Sequence, residues 1–374
     1  MKNIMIAVGI IFLTPEISAA NEVIKSEAHS FTVETIIEGL SIPRSLAFLS
    51  RSRALVTERR GGGISYLNIE SGELSPLGNV PAVLAEGGSG MHDVILHPNY
   101  ANNGWIYFAY SVLTDKGSTL IVERAKLTAT RLIQREQLFV ADAYYDVHYH
   151  FGAELVIQGG YLFISTGDRR NRDDVQSLGN HVGKVIRLHD DGRIPDDNPY
   201  VSDEDARPEI WTSGHRNPQG MVLHPETGEL WLHEHGPQGG DEINIVKPGS
   251  NYGWPVITYG EEYGGGPVGE GLYRKAGMQQ PLYYYTPSIA PSGMSFYTAD
   301  VFPKWQGNLF IGALGLTHMN RLVIEDNKVI HEERLLDDKN WRIRFIEQGP
   351  DGMIYFGSDD GAIRRISPAP AGAD

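Results

Sequence analysis

One pattern returns six times along this chain. A polar or glycine- and proline-rich start leads into an alternating apolar strand, then a turn of Pro, Asn, Asp or Gly, then a second β-rich strand. The copies fall at 43–48 with 54–58, 91–98 with 104–110, 152–157 with 161–168, 219–225 with 229–234, 292–297 with 307–313, and 344–350 with 352–359. Anchored on Leu46, Val94, Leu155, Met221, Met294 and Ile346, successive copies lie 48, 61, 66, 73 and 52 residues apart. Several end in a third strand with an apolar-x-Arg-apolar element, as at 185–188 and 362–366. A repeat of that length holds a four-stranded antiparallel sheet with its loops. One such sheet cannot bury both faces alone, so six packed radially predict an all-β, six-bladed β-propeller as one domain over 21–374. The rival architecture is a pair of β-sandwiches. Segment 31–37 is expected to close the ring against the C-terminal blade. The uneven spacing predicts long loops in blades three to five, and the Gly-rich stretch 260–280 reads as a surface insertion.

Composition limits the partners. With 32 Lys and Arg against 47 Asp and Glu, the formal net charge is −15. Such a surface repels phosphate backbones and anionic lipid, which argues against nucleic acid and membrane-surface partners. The plainer reading is that this charge keeps an exported protein soluble. Lys2, the apolar run 4–13 and the small residues Ser18, Ala19 and Ala20 read as a signal peptide over 1–20, too short to span a bilayer. No Cys follows, so no lipid anchor or disulfide is expected, and a periplasmic or secreted location fits.

Three segments carry more polar chemistry than strands and turns require. In the first, His148 and His150 would face one side of an extended chain, with Asp168 ending the next strand. A base oriented by a carboxylate is one reading, and a solvated loop histidine is the other. In the second, Gly214-His215-Arg216-Asn217-Pro218, the proline extends the residue before it, and Arg216 offers a planar fork for carboxylate or carbonyl oxygens. An incidental Arg in a tight turn remains the alternative. The third, 233–244 followed by Asn251-Tyr252-Gly253-Trp254-Pro255, joins a glycine-rich loop to Asp241 and Glu242. Exposed carbonyls beside carboxylates suit calcium. Zinc on His233 and His235 is conceivable, although the His-Glu-x-x-His order is absent. A purely structural turn is the third possibility.

In this order the motifs His150-Phe151-Gly152, Gly183-Lys184-Val185, 194–199, 214–220, 234–244, 251–255 and Arg342-Ile343-Arg344 resemble the soluble aldose dehydrogenases that use pyrroloquinoline quinone (PQQ), the glucose/sorbosone dehydrogenase family. The resemblance covers roughly residues 35–367. It implies a six-bladed propeller that oxidises an aldose at its anomeric carbon to the lactone, with quinone and calcium as cofactors. His150 would be the general base and Asp168 its orienting partner. Arg216 and Asn217 would stabilise charge on the reduced quinone, while Arg342 and Arg344 would grip its carboxylates. Carbonyls of Gly236 and Pro237 would bind the calcium that polarises the quinone. Asp241 matches a position behind that calcium, and Glu242 with Tyr252 match a second, structural calcium.

Some positions depart from the family pattern. Gly88 stands where an active-site Gln is usual, Gly315 where a cofactor-binding Lys is usual, Glu154 where an Arg is usual, and Phe345 where an Asp is usual. The expectation is a weakened anion pocket, with His318 or Arg321 as replacement cations. Two other functions stay open: a non-catalytic propeller that binds a glycan or a protein, and a calcium-dependent lactonase on the same architecture. The sugar, the electron acceptor and the choice of monomer or homodimer are not readable from sequence.

Overall fold

Six antiparallel sheets arise from consecutive strands, as the repeat predicts, in a computed structural model that describes residues 22–370 and 372. The export segment read at 1–20 lies outside the described residues. The first strand of each sheet lines a central hub: Pro43–Phe48, Met91–Leu96, Gly152–Gln158, Pro218–Leu223, Pro291–Phe296 and Ile343–Gln348. Each touches the first strand of the next sheet, and the last touches the first, so the ring closes. This is a six-bladed propeller; paired sandwiches would give no such cycle.

Closure is made by the N-terminus. Ser30–Ile37 pairs antiparallel with Ile363–Pro368, placing Val33 opposite Ile366, and Val23–Lys25 adds a fifth strand outside it. Pairing the two ends of the chain in one sheet leaves no open gap in the ring. Blades grip one another through aromatic wedges. Trp231 of blade 4 meets Phe296 of blade 5 edge-on at 5.4 Å, and Trp305 lies 5.8 Å from Phe31 between blades 5 and 6. Trp305 is fully buried, so truncating it to Ala would cost roughly 3–5 kcal/mol.

The hub strands share one irregularity. Each breaks register near its start: between Pro43 and Ser45, Met91 and Val94, Gly152 and Leu155, Pro218 and Gly220, Ser292 and Met294, and Ile343 and Phe345. A β-bulge bends its strand and re-aims the extra residue. The bulges therefore turn Arg44, His92 with Asp93, Glu154, Gln219 and Arg344 out of the ordinary alternation. Blade 5 contributes only Gly293, because a Cβ there would meet the Phe345 Cα at 2.5 Å.

Loop lengths agree with the spacing only in part. Blades 3 and 4 carry the long connections, 190–209 and 246–282, and the latter includes the expected irregular stretch 260–280. Blade 5 runs compactly from Pro291 to Leu335, contrary to expectation. The long interval before it belongs to the blade 4 insertion.

Candidate active site

At the end of the hub where the inner strands begin lies a cavity of about 370 Å³. Four bulge residues reach it, Arg44, His92, Gln219 and Arg344, joined by Arg59, Arg60 and Arg342. Among the described residues five arginines and no carboxylate line this space, in a chain of net charge −15. Arg342 and Arg344 are held from behind by a single acid. Arg342 donates from Nε to Asp359 Oδ2 at 2.8 Å, and Arg344 donates from Nη2 to the same oxygen at 2.9 Å. Burial, then the nearby Arg344 charge, push the Arg59 guanidinium down to about 10, and its Nε has no partner among the described residues. Asp359 answers only part of this charge, and the excess of guanidinium groups suits a polyanion.

His150 forms the wall between this cavity and a second one of about 690 Å³, lined by Asp168, Arg216, Pro237, Trp254 and Tyr263. Its backbone adopts φ +55°, which turns the ring out of the line of the strand that follows. Nδ1 donates to Asp168 Oδ1 at 2.7 Å. The other Asp168 oxygen accepts from Trp254 Nε1 at 2.9 Å, and the backbone N–H of Arg170 donates to Oδ1 at 2.8 Å. This orientation leaves Nε2 without a hydrogen-bond partner among the described residues, in a side chain that lines both cavities. Burial lowers the His150 pKa, Asp168 opposes this, and Arg216 adds to it; the net shift is downward. The imidazole is therefore neutral at neutral pH and able to accept a proton. His148 does not share its side, because the chain is not extended here. It pairs instead with Glu86 at 3.2 Å.

The sequence-predicted residues divide between the two cavities. Arg342, Arg344 and Asn217 line the first, whereas Arg216 lines the second, with Nη1 donating to the His235 carbonyl at 3.2 Å. The three arginines thus flank His150 from two sides. His318 and Arg321, expected as replacement cations, reach neither cavity. Arg321 is committed to Glu333 at 2.6 Å and Asn308 at 2.6 Å on the outer part of blade 5. Gly315 does not line the cavity either; its neighbour Leu314 does. The lost charge comes from Arg44, Arg59 and Arg60, which sequence reading missed. A signal was available: two residues before the repeat anchors stand Arg44, His92, Gln219 and Arg344. Aligning the repeats at that offset would have exposed the series.

Two places fit calcium by their own chemistry. In the buried Gly236-Pro237 turn neither carbonyl accepts a hydrogen bond from the described residues, while Asp241 fixes the turn by accepting from the Gly236 N–H at 2.9 Å. Asp241 also takes Ser288 Oγ at 2.6 Å and the N–H groups of Ile289 and Ala290, so its oxygens are fully engaged. Nearby, Glu234, Glu242 and Tyr252 border a void of about 10 Å³. Burial and the adjacent Glu234 carboxylate raise the Glu242 pKa, leaving two acids that a cation would relieve. Among the described residues no three His, Asp or Glu side chains gather as a metal-binding set. His233 and His235 each face a backbone carbonyl, Gly293 O and Pro291 O, which gives zinc no support.

A closed propeller whose hub opens on a cationic cavity beside a neutral, carboxylate-oriented histidine is built as an enzyme. The chain belongs to the glucose/sorbosone dehydrogenase family, whose profile matches residues 40–365. It is similar to the aldose sugar dehydrogenase YliI of Escherichia coli K12, with 39% identity over 369 residues, covering 96% of this chain and 98% of that one. The crystal structure of the soluble Escherichia coli aldose sugar dehydrogenase in its apo form superposes with a TM-score of 0.87 at 39% identity, over 91% of this chain and all of that one. Quinoprotein glucose dehydrogenase B of Acinetobacter calcoaceticus is 30% identical over 263 residues, covering 63% of this chain and 54% of that one.

Proposed function

We propose that this chain is an exported, PQQ-dependent aldose dehydrogenase that converts the anomeric carbon of a sugar to a lactone. The observation that carries the reading is the five-arginine cavity, free of carboxylates, against the open Nε2 face of His150. The cofactor is a tricarboxylate, and its quinone supplies a two-electron sink for the anomeric C–H hydride. The Gly236 and Pro237 carbonyls would hold a calcium ion there as a Lewis acid, and Glu242 with Tyr252 a structural one.

The protein's own part is positioning and proton transfer. The sugar enters through the larger cavity, where Trp254 and Tyr263 offer apolar faces and Arg216 lies alongside. His150 Nε2 takes the anomeric hydroxyl proton as the C–H electron pair leaves with its hydrogen as hydride, so the C=O bond of the lactone forms and the sugar loses two electrons and two hydrogens in all. Asp168 holds the ring and stabilises the imidazolium that forms. Arg342 and Arg344 would grip carboxylates, and Asn217 in the same cavity, with Arg216 on the other side of His150, would stabilise negative charge on the reduced cofactor. Export through the segment 1–20 would place the reaction in the periplasm or outside the cell.

The test is to reconstitute the purified protein with PQQ and calcium and follow dye reduction with a panel of aldoses. Sugar-dependent, quinone-dependent turnover is expected. No turnover with any aldose from protein that demonstrably holds quinone would refute the reaction.

A further inference from the structure

The departure at Glu154 has a structural partner. Glu154 leaves blade 3 at its bulge and accepts a hydrogen bond from Arg44 Nη2, which leaves blade 1 at its own bulge. Arg44 is buried, and this is its one protein hydrogen bond among the described residues. The rest of its guanidinium faces the arginine cavity. Arg44 also lines a third cavity, about 310 Å³, further along the hub, whose walls carry Asp93, Glu154 and Glu347. The pair is therefore a partition between a cationic space and an acidic one.

We propose that Arg44 is a ligand-binding residue of the arginine cavity, and that Glu154 is the counter-charge whose protonation releases it, so that polycarboxylate binding takes up a proton. This rests on the reading of the first cavity as the site of an anionic cofactor. Ionised, Glu154 cancels the Arg44 charge. An incoming carboxylate competes for the same guanidinium and disfavours a second anion behind it. The balance is one solvent proton bound at the Glu154 carboxylate for one guanidinium turned over to the ligand.

The groups around Glu154 support its choice as the titrating member. Blade 1 presents Arg44, blade 2 presents His92 and Asp93, and blade 6 presents Arg344 and Glu347, while blades 4 and 5 place uncharged Met221 and Met294 in the channel. Asp93 is tied down, accepting from Ser45 Oγ at 2.6 Å and from the Leu155 N–H at 2.9 Å. Burial keeps His92 neutral, with Arg44 and Arg59 adding to the effect. Burial raises the Glu154 carboxyl to about 7, Arg44 opposing and Asp93 assisting. Glu154 is thus protonated below neutrality and ionised above it, so affinity should fall as the pH rises through 7.

The test is calorimetry on the calcium-loaded full chain at about pH 6 and about pH 8, in buffers of different protonation enthalpy. Two probes are titrated, PQQ and the redox-inert benzene-1,3,5-tricarboxylate, into wild type, E154Q, R44Q/E154Q and E347Q. R44Q/E154Q removes both charges of the pair, whereas E154Q leaves the Arg44 charge facing the arginine cavity. Wild type should bind about tenfold more weakly at the higher pH and take up close to one proton there. E154Q should bind tightly at both values with no proton uptake, R44Q/E154Q about tenfold more weakly than E154Q, and E347Q should follow wild type. A wild-type pH dependence that survives in E154Q overturns the proposal, as does equal affinity of E154Q and R44Q/E154Q. If the tricarboxylate shows the coupling but PQQ does not bind, the quinone reading fails and the gate stands. If PQQ binds without dependence on Glu154, the gate fails alone. If neither probe binds, both are overturned.

Discussion

The two ends of the hub are built from the same six strands and have opposite chemistry. Where the strands begin, five arginines meet with no acid among them; a few residues further along, Asp93, Glu154 and Glu347 face a channel of similar volume. The bulges account for part of the difference. They interrupt the in–out alternation once per strand, so that Arg44 and Arg344 are directed to one end and Glu154 to the other. A propeller hub is thus not a uniform pore. Its polarity is set in part by the one or two residues per blade that a register break sets free, and in part by Arg59, Arg60 and Arg342 in the flanking loops and Glu347 in the last hub strand.

The largest test of this asymmetry concerns His150. His150→Ala should lower kcat by about 10³-fold with melting unchanged, whereas Glu347→Gln at the acidic end should leave kcat within about twofold. The pH profile sharpens the point. Because the His150 pKa is lowered, kcat/KM should already be on its plateau at neutral pH, with an acid limb below the usual imidazole value. Asp168→Asn should move that limb lower still, since Asp168 is the group that raises the His150 pKa. Next in size, R342A/R344A should weaken PQQ binding on the order of 100-fold in titration, because two charge-assisted grips are lost together.

Calcium should matter less to chemistry than to stability at the Glu242 position. The raised folded pKa of Glu242 means that its ionisation costs stability as pH rises, and a bound cation removes that cost. A chelator should therefore lower Tm by a few degrees, more at pH 8 than at pH 6, and Glu242→Gln should lose most of that pH difference. The smallest effect belongs to Glu347, which burial raises to about 8, with Asp93 and Glu154 assisting. Its favourable, protonated form is complete below the unfolded carboxyl pKa and is lost as pH rises through about 8. Glu347→Gln should accordingly gain roughly 2 °C in Tm over wild type at about pH 9 and nothing at pH 5. Equal Tm differences at both values would show that Glu347 is already well solvated.

The fold was legible because its signal is repeated. Six copies of one strand pair, each too small to bury its faces, leave radial packing as the economical solution, and the closing strand at 31–37 follows from needing a partner for the last blade. His150 with Asp168, and Arg342 with Arg344, were also readable, since they sit in dense local motifs. Arg44 left a trace only in the offset shared by the repeats, and Arg59 and Arg60, in the turn after the second strand of blade 1, left none, because the ring alone brings them to the cavity. Glu154 read as a loss of positive charge, yet its meaning lies in Arg44, 110 residues away in sequence. Arg321 failed as a substitute cation for a similar reason. Its nearest neighbours in space, Glu333 and Asn308, had already claimed it.

The arginine-lined end of the hub is where a tricarboxylate quinone is expected to settle against His150. An absorbance titration of metal-stripped protein with PQQ, repeated after adding calcium, measures this without requiring a substrate. A saturable, one-to-one spectral shift that tightens with calcium and weakens in R342A/R344A is the predicted result. A non-saturating response, or one indifferent to both arginines, would contradict it.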